Sequence, residues 1–144
     1  MKVYTIGFTK TTAERFFERL KTANIRSLID VRLNNVSQLA GFAKKDDLRY
    51  FTQQIVKATY AHKQELAPTQ QLLDAYKKQG ASWDEYAKQF TALMQSRQIE
   101  RTIGPDEIDA ACLLCSEDTA HQCHRRLVVE YLRDKWGGLE IVHL

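Results

Sequence analysis

Six consecutive apolar residues, Ala110-Ala111-Cys112-Leu113-Leu114-Cys115, limit the possible folds of this chain more than any other segment. A strand apolar on every residue has no face to offer water, so both of its faces must be covered. Sheets covered on both sides are built from strands alternating with helices, and the start of the chain supplies that unit. Lys2 to Gly7 is a short apolar run ending in glycine, which predicts a first strand. Thr11-Thr12-Ala13-Glu14 matches a capping box, with Thr11 as the cap. Ala13, Phe16, Phe17 and Leu20 follow at helical spacing and predict a helix over 12–22. Ser27-Leu28-Ile29-Asp30-Val31 predicts a second strand. A β-α-β unit closes as a parallel pair with a right-handed crossover.

The middle of the chain is helix-rich. Residues 33–45 predict a loop, with Asn34-Asn35, Ser37 and Gly41. Asp46-Asp47 open a helix carrying Leu48, Phe51 and Ile55. Thr59 to His62 predicts a short strand. Helices follow over Thr69 to Gln79 and from a second capping box at Ser82-Trp83-Asp84-Glu85, and Gly104-Pro105 reads as a break. Leu127, Val128, Tyr131 and Leu132 define a last helix stopped by Gly137-Gly138, and Leu139 to Leu144 predicts a closing strand. The expectation is one α/β domain over 1–144. Its form is a three-layer sandwich with a mainly parallel, Rossmann-like sheet of four or five strands flanked by helices. Strand order is left open.

With 144 residues the chain can bury one proper core. No apolar run approaches a membrane span, and Lys2-Val3-Tyr4-Thr5-Ile6-Gly7 does not read as a signal peptide, so a cytoplasmic location is expected. Three cysteines crowded into 112–123 are not a secreted disulfide framework, and reduced thiols at rest are expected. A net charge of +3 with interspersed acids and bases admits an anionic ligand and supports nucleic-acid binding only weakly.

The chemistry concentrates after the apolar strand. Between Cys115 and Arg126 lie two thiols, two imidazoles, two carboxylates and two guanidinium groups. Parallel sheets bind ligands outside the carboxyl ends of their strands. The predicted ends are Gly7-Phe8-Thr9, Asp30-Val31-Arg32 and Cys115-Ser116-Glu117, so these residues should share one crevice. Cys123-His124-Arg125 should open the helix above it. Arg125 and Arg126 sit in a first helical turn, where cations oppose the macrodipole by a few tenths to about 1 kcal/mol. An acidic partner (Glu117, Asp118 or Asp30) or a bound anion would offset that. Cys112 reads as core. Cys123, beside His124 and two arginines at a helix start, is the thiol with the strongest case for reactivity. Cys115, Cys123, His121, His124 and Glu117 have metal-ligand chemistry, but no knuckle of two cysteines spaced by two residues frames them, so no metal is assigned. No Gly-x-Gly-x-x-Gly, Walker A or Gly-x-Ser-x-Gly sequence is present, and neither Cys115 nor Cys123 is followed by arginine at a phosphatase-like distance. His62 and His143 read as structural.

Taken in order, Tyr4-Thr5-Ile6-Gly7-Phe8-Thr9, Asp30-Val31-Arg32, Leu113-Leu114-Cys115-Ser116-Glu117 and Cys123-His124-Arg125 resemble the pattern of the family catalogued as domain of unknown function 488. That pattern places histidine where this chain has Phe8, and the residues after Arg32 lack its proline and serine spacing. The resemblance implies the fold and the site, and leaves the reaction open.

The leading expectation is an enzyme-like domain whose crevice binds a small anionic ligand of nucleotide or phosphate type. Arg32 and Arg125 would bind the anion, with His124, Gly7 and Thr9 lining its site. Asp30 and Glu117 would serve as acid/base or orienting carboxylates, and Cys123 with Cys115 would supply thiol chemistry. Two rivals remain: a thiol-disulfide or metal-responsive module working through Cys115 and Cys123, and a non-catalytic nucleic-acid-associated binding protein. Cofactor, substrate and oligomeric state are not assigned.

Overall fold

A computed structural model describes residues 1–36 and 40–144. Five strands, β1 (Lys2–Gly7), β2 (Ser27–Asp30), β3 (Thr59–His62), β4 (Ala111–Cys115) and β5 (Glu140–His143), form one sheet in the order β3-β2-β4-β1-β5. Every pairing is parallel. The fully apolar strand is therefore the centre of the sheet, and all five of its residues are buried. Its alternating side chains feed two cores. Ala111, Leu113 and Cys115 face one, while Cys112 and Leu114 face the other.

Helices cover both faces, giving the expected α/β three-layer sandwich. On the Cys112 side lie α1 (Ala13–Ala23), with Phe16, Phe17 and Leu20 buried, and α2 (Lys45–Phe51), with Leu48 buried. The opposite face carries α3 (Gln70–Lys77), α4 (Trp83–Arg97), the short α5 (Ile99–Thr102) and α6 (Pro105–Ile108), and α7 (His124–Trp136). Tyr86, Phe90 and Met94 of α4 and Val128 and Leu132 of α7 fill that core. No helix among the described residues is long and apolar enough to cross a membrane.

Several boundaries differ from the expected ones for identifiable reasons. The cap of α1 is Thr12, not Thr11: its side chain accepts from the Arg15 N–H, so the helix starts one residue later and runs to Asn24, which turns left-handed at φ 54°. Val31 lies beyond β2, although its N–H still bonds to the Leu114 carbonyl at 3.0 Å. The helix from Asp46 continues into a wider π-type turn over Thr52–Val56, ended by Lys57 at φ 62°. Gly104-Pro105 starts a short helix, because proline's fixed φ suits a first helical position. Ala110 is excluded from β4 by its φ of 61°. In the expected loop, Gly41–Ala43 form a 3-10 turn, while the part of that expectation on 37–39 lies outside the described residues.

The register aligns the carboxyl ends that matter. Gly7 pairs with Cys115 and Asp30 with Leu114, so the chains leaving β1, β2 and β4 emerge side by side. Gly7 is required by close approach: a Cβ there would overlap the Glu117 carbonyl oxygen and stand 3.0 Å from Nη1 of Arg125. Gly7→Ala should therefore push the Glu117 loop off the sheet. Overpacking of this kind costs about 2 kcal/mol, expected as a fall of roughly 4–8 °C in the thermal midpoint measured by circular dichroism.

Candidate functional site

Beyond the strand ends the three loops are laced together. Thr9 bonds to the Ser116 carbonyl twice, through its N–H at 3.2 Å and through Oγ1 at 2.8 Å. The β1 exit is thus fixed against the β4 exit, and a pocket of about 220 Å³ opens above them. Arg32, Cys115, Glu117, Cys123 and His124 line it, together with Asn34, Pro68, Tyr76, Lys77, Trp83 and Tyr86. Of the expected site residues, Gly7, Thr9, Asp30 and Arg125 do not line the pocket.

The base of the pocket is sulfur. Cys115 and Cys123, expected as reduced thiols at rest, stand with their sulfurs within bonding distance of each other. The local cause is the chain path: β4 delivers Cys115 and, eight residues later, the loop returns Cys123 as the N-cap of α7. Cys112 is the free thiol, fully buried, and desolvation pushes its pKa well up, so it stays a neutral core residue.

Arg125 stands directly behind the two sulfurs and is fully buried. Its Nε–H donates to Oγ1 of Thr5 at 3.2 Å, and Nη1–H donates to the Glu117 carbonyl. The same Nη1 lies 3.5 Å from the Cys115 sulfur and 3.7 Å from that of Cys123. Among the described residues, none of the expected acids (Glu117, Asp118 or Asp30) forms an ion pair with it. Burial lowers its pKa to about 10, so it remains charged at neutral pH. Arg126 differs: it pairs with Glu130 at 3.1 Å, donates to the His121 carbonyl and lies over the Trp83 ring.

His124 lies between the sulfurs and the loop after β2. Its Nε2–H donates to the Val31 carbonyl at 2.7 Å, and the ring packs against Phe90. Burial, with Arg125 adding to it, lowers the pKa to about 4, so the imidazole is neutral across the physiological range. The two sulfurs and a ring nitrogen of His124 all lie within 4.8 Å of one another.

A second buried cation is fully paired. Asp30, with no exposed surface, accepts from Nε of Arg32 at 2.9 Å and from Nη2 at 2.8 Å, a two-pronged ion pair. The Arg32 backbone N–H adds a third bond, and the Tyr60 hydroxyl donates a fourth at 2.6 Å. Burial and the Asp30 charge push the Tyr60 pKa up, so it stays a donor. Nη1 of Arg32 is buried and has no hydrogen-bond partner among the described residues. At the rim, Lys77 and Glu117 form a half-exposed pair at 3.2 Å.

Sequence reasoning did not find Tyr60, Tyr76, Lys77 or Trp83. Tyr60 was legible only as part of a short strand; its role depends on β3 lying next to β2, with Asp30 opposite His62. Tyr76 and Trp83 have mutually packed rings whose centroids are 5.8 Å apart, and they come from helices whose placement no local pattern reveals.

Chemically, the pocket combines hydrogen-bond donors, aromatic walls and a sulfur base. α7 starts at the pocket-lining Cys123 with no side-chain cap, Arg32 has an Nη1–H without a partner among the described residues, and the exposed Lys77–Glu117 pair can exchange partners at little cost.

The family model described as Domain of unknown function DUF488 matches residues 12–132 of the chain. No curated protein and no solved structure matches it. The matched stretch contains Asp30-Val31-Arg32, the whole of β4 and the Cys123-His124-Arg125 start of α7, and the chain belongs to the DUF488 family.

Proposed function

We propose that the pocket binds a small phosphate-bearing ligand with a planar group, of the mononucleotide class, and that the protein acts on it enzymatically. The observation that carries this reading is the Nη1–H of Arg32, without a partner among the described residues, in a residue that lines the pocket next to the uncapped N-terminus of α7. A buried donor without a partner costs about 1–3 kcal/mol, which a phosphate oxygen would recover. Helix N-termini favour the same charge. Trp83 and Tyr76 supply a surface against which a base can pack, and Lys77 a cation at the rim.

Asp30 then acts as an orienting carboxylate, since its two prongs and the Tyr60 bond fix the plane of the Arg32 guanidinium. Glu117, half-exposed at the rim, is the carboxylate available for acid/base work once Lys77 turns to the ligand. Arg125 serves the sulfurs rather than the ligand. The bonded Cys115–Cys123 pair supports a second reading, a thiol-disulfide exchange module in which a substrate thiol attacks that bond.

Titration with inorganic phosphate and with adenosine monophosphate, followed by tryptophan emission and calorimetry, tests the first reading. Saturable binding is expected. Arg32→Lys keeps a cation against Asp30 but loses the fork, and should weaken binding about 10-fold or more. Absence of saturable binding by either ligand, or an unchanged affinity in Arg32→Lys, would overturn it.

Tyr60→Phe leaves the buried Asp30 short of one donor. It should cost about 1.5–3 kcal/mol in urea unfolding. Lys77→Ala should leave stability unchanged within about 0.5 kcal/mol, because its ion pair is exposed. It should also flatten the salt dependence of ligand affinity.

A further inference from the structure

The three potential ligand atoms at the pocket base can do more than form one sulfur–sulfur bond. We infer that reduction of the Cys115–Cys123 bond opens a site for a zinc-class divalent ion, held by both sulfurs and Nδ1 of His124. This inference is independent of the anion reading.

Geometry is the first support. Zinc bonds of about 2.3 Å to sulfur and about 2.1 Å to nitrogen set tetrahedral donors roughly 3.5–4 Å apart. The two sulfurs and a ring nitrogen of His124 already lie within 4.8 Å of one another, and breaking the sulfur–sulfur bond lets the sulfurs part toward that spacing. The second support is the orientation of His124. Its Nε2–H is committed to the Val31 carbonyl at 2.7 Å, which leaves Nδ1 unprotonated and free to ligate. A backbone carbonyl behind a ligating histidine is the usual outer partner at metal sites, fixing both tautomer and ring plane.

Arg125 is the third. It is a fully buried cation with no carboxylate in ion-pair range among the described residues, and one of its N–H groups reaches toward both sulfurs. A disulfide is neutral and leaves that charge uncompensated, whereas thiolates compensate it. On reduction the same N–H stands within donating reach of either sulfur. All three residues line the pocket, the side from which a fourth ligand would come. Three protein ligands with one open position is the pattern of catalytic rather than structural zinc, and a set of two cysteines with one histidine is among its known forms.

The chemistry balances with an ordinary thiol reductant. Two small-molecule thiols deliver two electrons and two protons to the Cys115–Cys123 bond and become a disulfide themselves. The protein sulfurs are left as two thiols. Binding of the ion then displaces both protons to water.

The test compares one protein in two states. The full chain is reduced with dithiothreitol, freed of reductant without air, and titrated with zinc against a chromophoric chelator; the untreated oxidised chain is treated in parallel. One zinc per chain is expected in the reduced protein and none in the oxidised one. Cobalt in place of zinc should give a near-ultraviolet sulfur-to-metal charge-transfer band and tetrahedral visible bands. Cys123→Ser and His124→Ala should each weaken zinc binding by about 100-fold or more, since even outer partners of a metal site cost 10–100-fold. Cys112→Ser should not. Failure of the reduced wild-type chain to take up zinc, or cobalt binding without the sulfur band, would overturn the site with no appeal to any variant's folding. Arg32→Lys separates the two readings: it should lose adenosine monophosphate affinity while taking up zinc as the wild type does.

Discussion

A buried guanidinium without a carboxylate is the constraint around which this site is built. The penalty for removing such a charge from water is several kcal/mol even after relaxation, so Arg125 must find compensation among whatever surrounds it. It reaches the Thr5 hydroxyl on β1, the Glu117 carbonyl beyond β4, and the two sulfurs. Each of these has its own structural consequence. Thr5 is a fully buried hydroxyl inside a strand, and His143 reaches its Oγ1 at 2.6 Å. The Glu117 carbonyl can approach only because residue 7 has no side chain. Removing Arg125 would leave the end of β1, the loop after β4 and the start of α7 without their common tie.

The second buried cation solves the same problem differently. Arg32 meets a full carboxylate in Asp30, and Tyr60 and the Arg32 backbone N–H satisfy that carboxylate further. Arg32 also donates to the Ala43 carbonyl at 2.8 Å and lies over the Phe8 ring. The two arginines therefore divide the work. Arg32 is charge-paired with Asp30 and keeps a donor without a partner among the described residues; Arg125 is locally charged and aimed at sulfur. From the sequence both read as anion binders, because a guanidinium near a strand end looks the same whether it faces a ligand or the protein interior.

How far the sequence could be read follows from which interactions are local. The apolar hexapeptide called for a strand covered on both faces, and parallel strands then brought Asp30, Arg32, Cys115 and Glu117 to one end across some eighty residues. Caps at Thr12 and Ser82 were visible within a turn, with a one-residue error where two threonines adjoin. Side-chain direction was not visible. Whether Arg125 points out or in depends on its place in the first turn of α7 against β1 and β4, a tertiary fact. The aromatic wall was likewise hidden, since Tyr76 and Trp83 meet across the turn joining α3 and α4, far from the strands they face.

Charge at the pocket base links the anion and metal readings. In the oxidised state the sulfurs are neutral and Arg125 contributes one uncompensated positive charge. Reduction to two thiols leaves that charge as it is, and loss of both thiol protons would reverse it to one net negative charge, which would repel a phosphate. A divalent ion restores the positive sign, in the same place and with an open coordination position besides. Low dielectric magnifies these differences, because charges a few ångströms apart inside a protein are screened far less than in water. The α7 N-terminus and Arg32 favour anions in every state. The state of two sulfur atoms then decides whether the base of the pocket adds to that preference or cancels it.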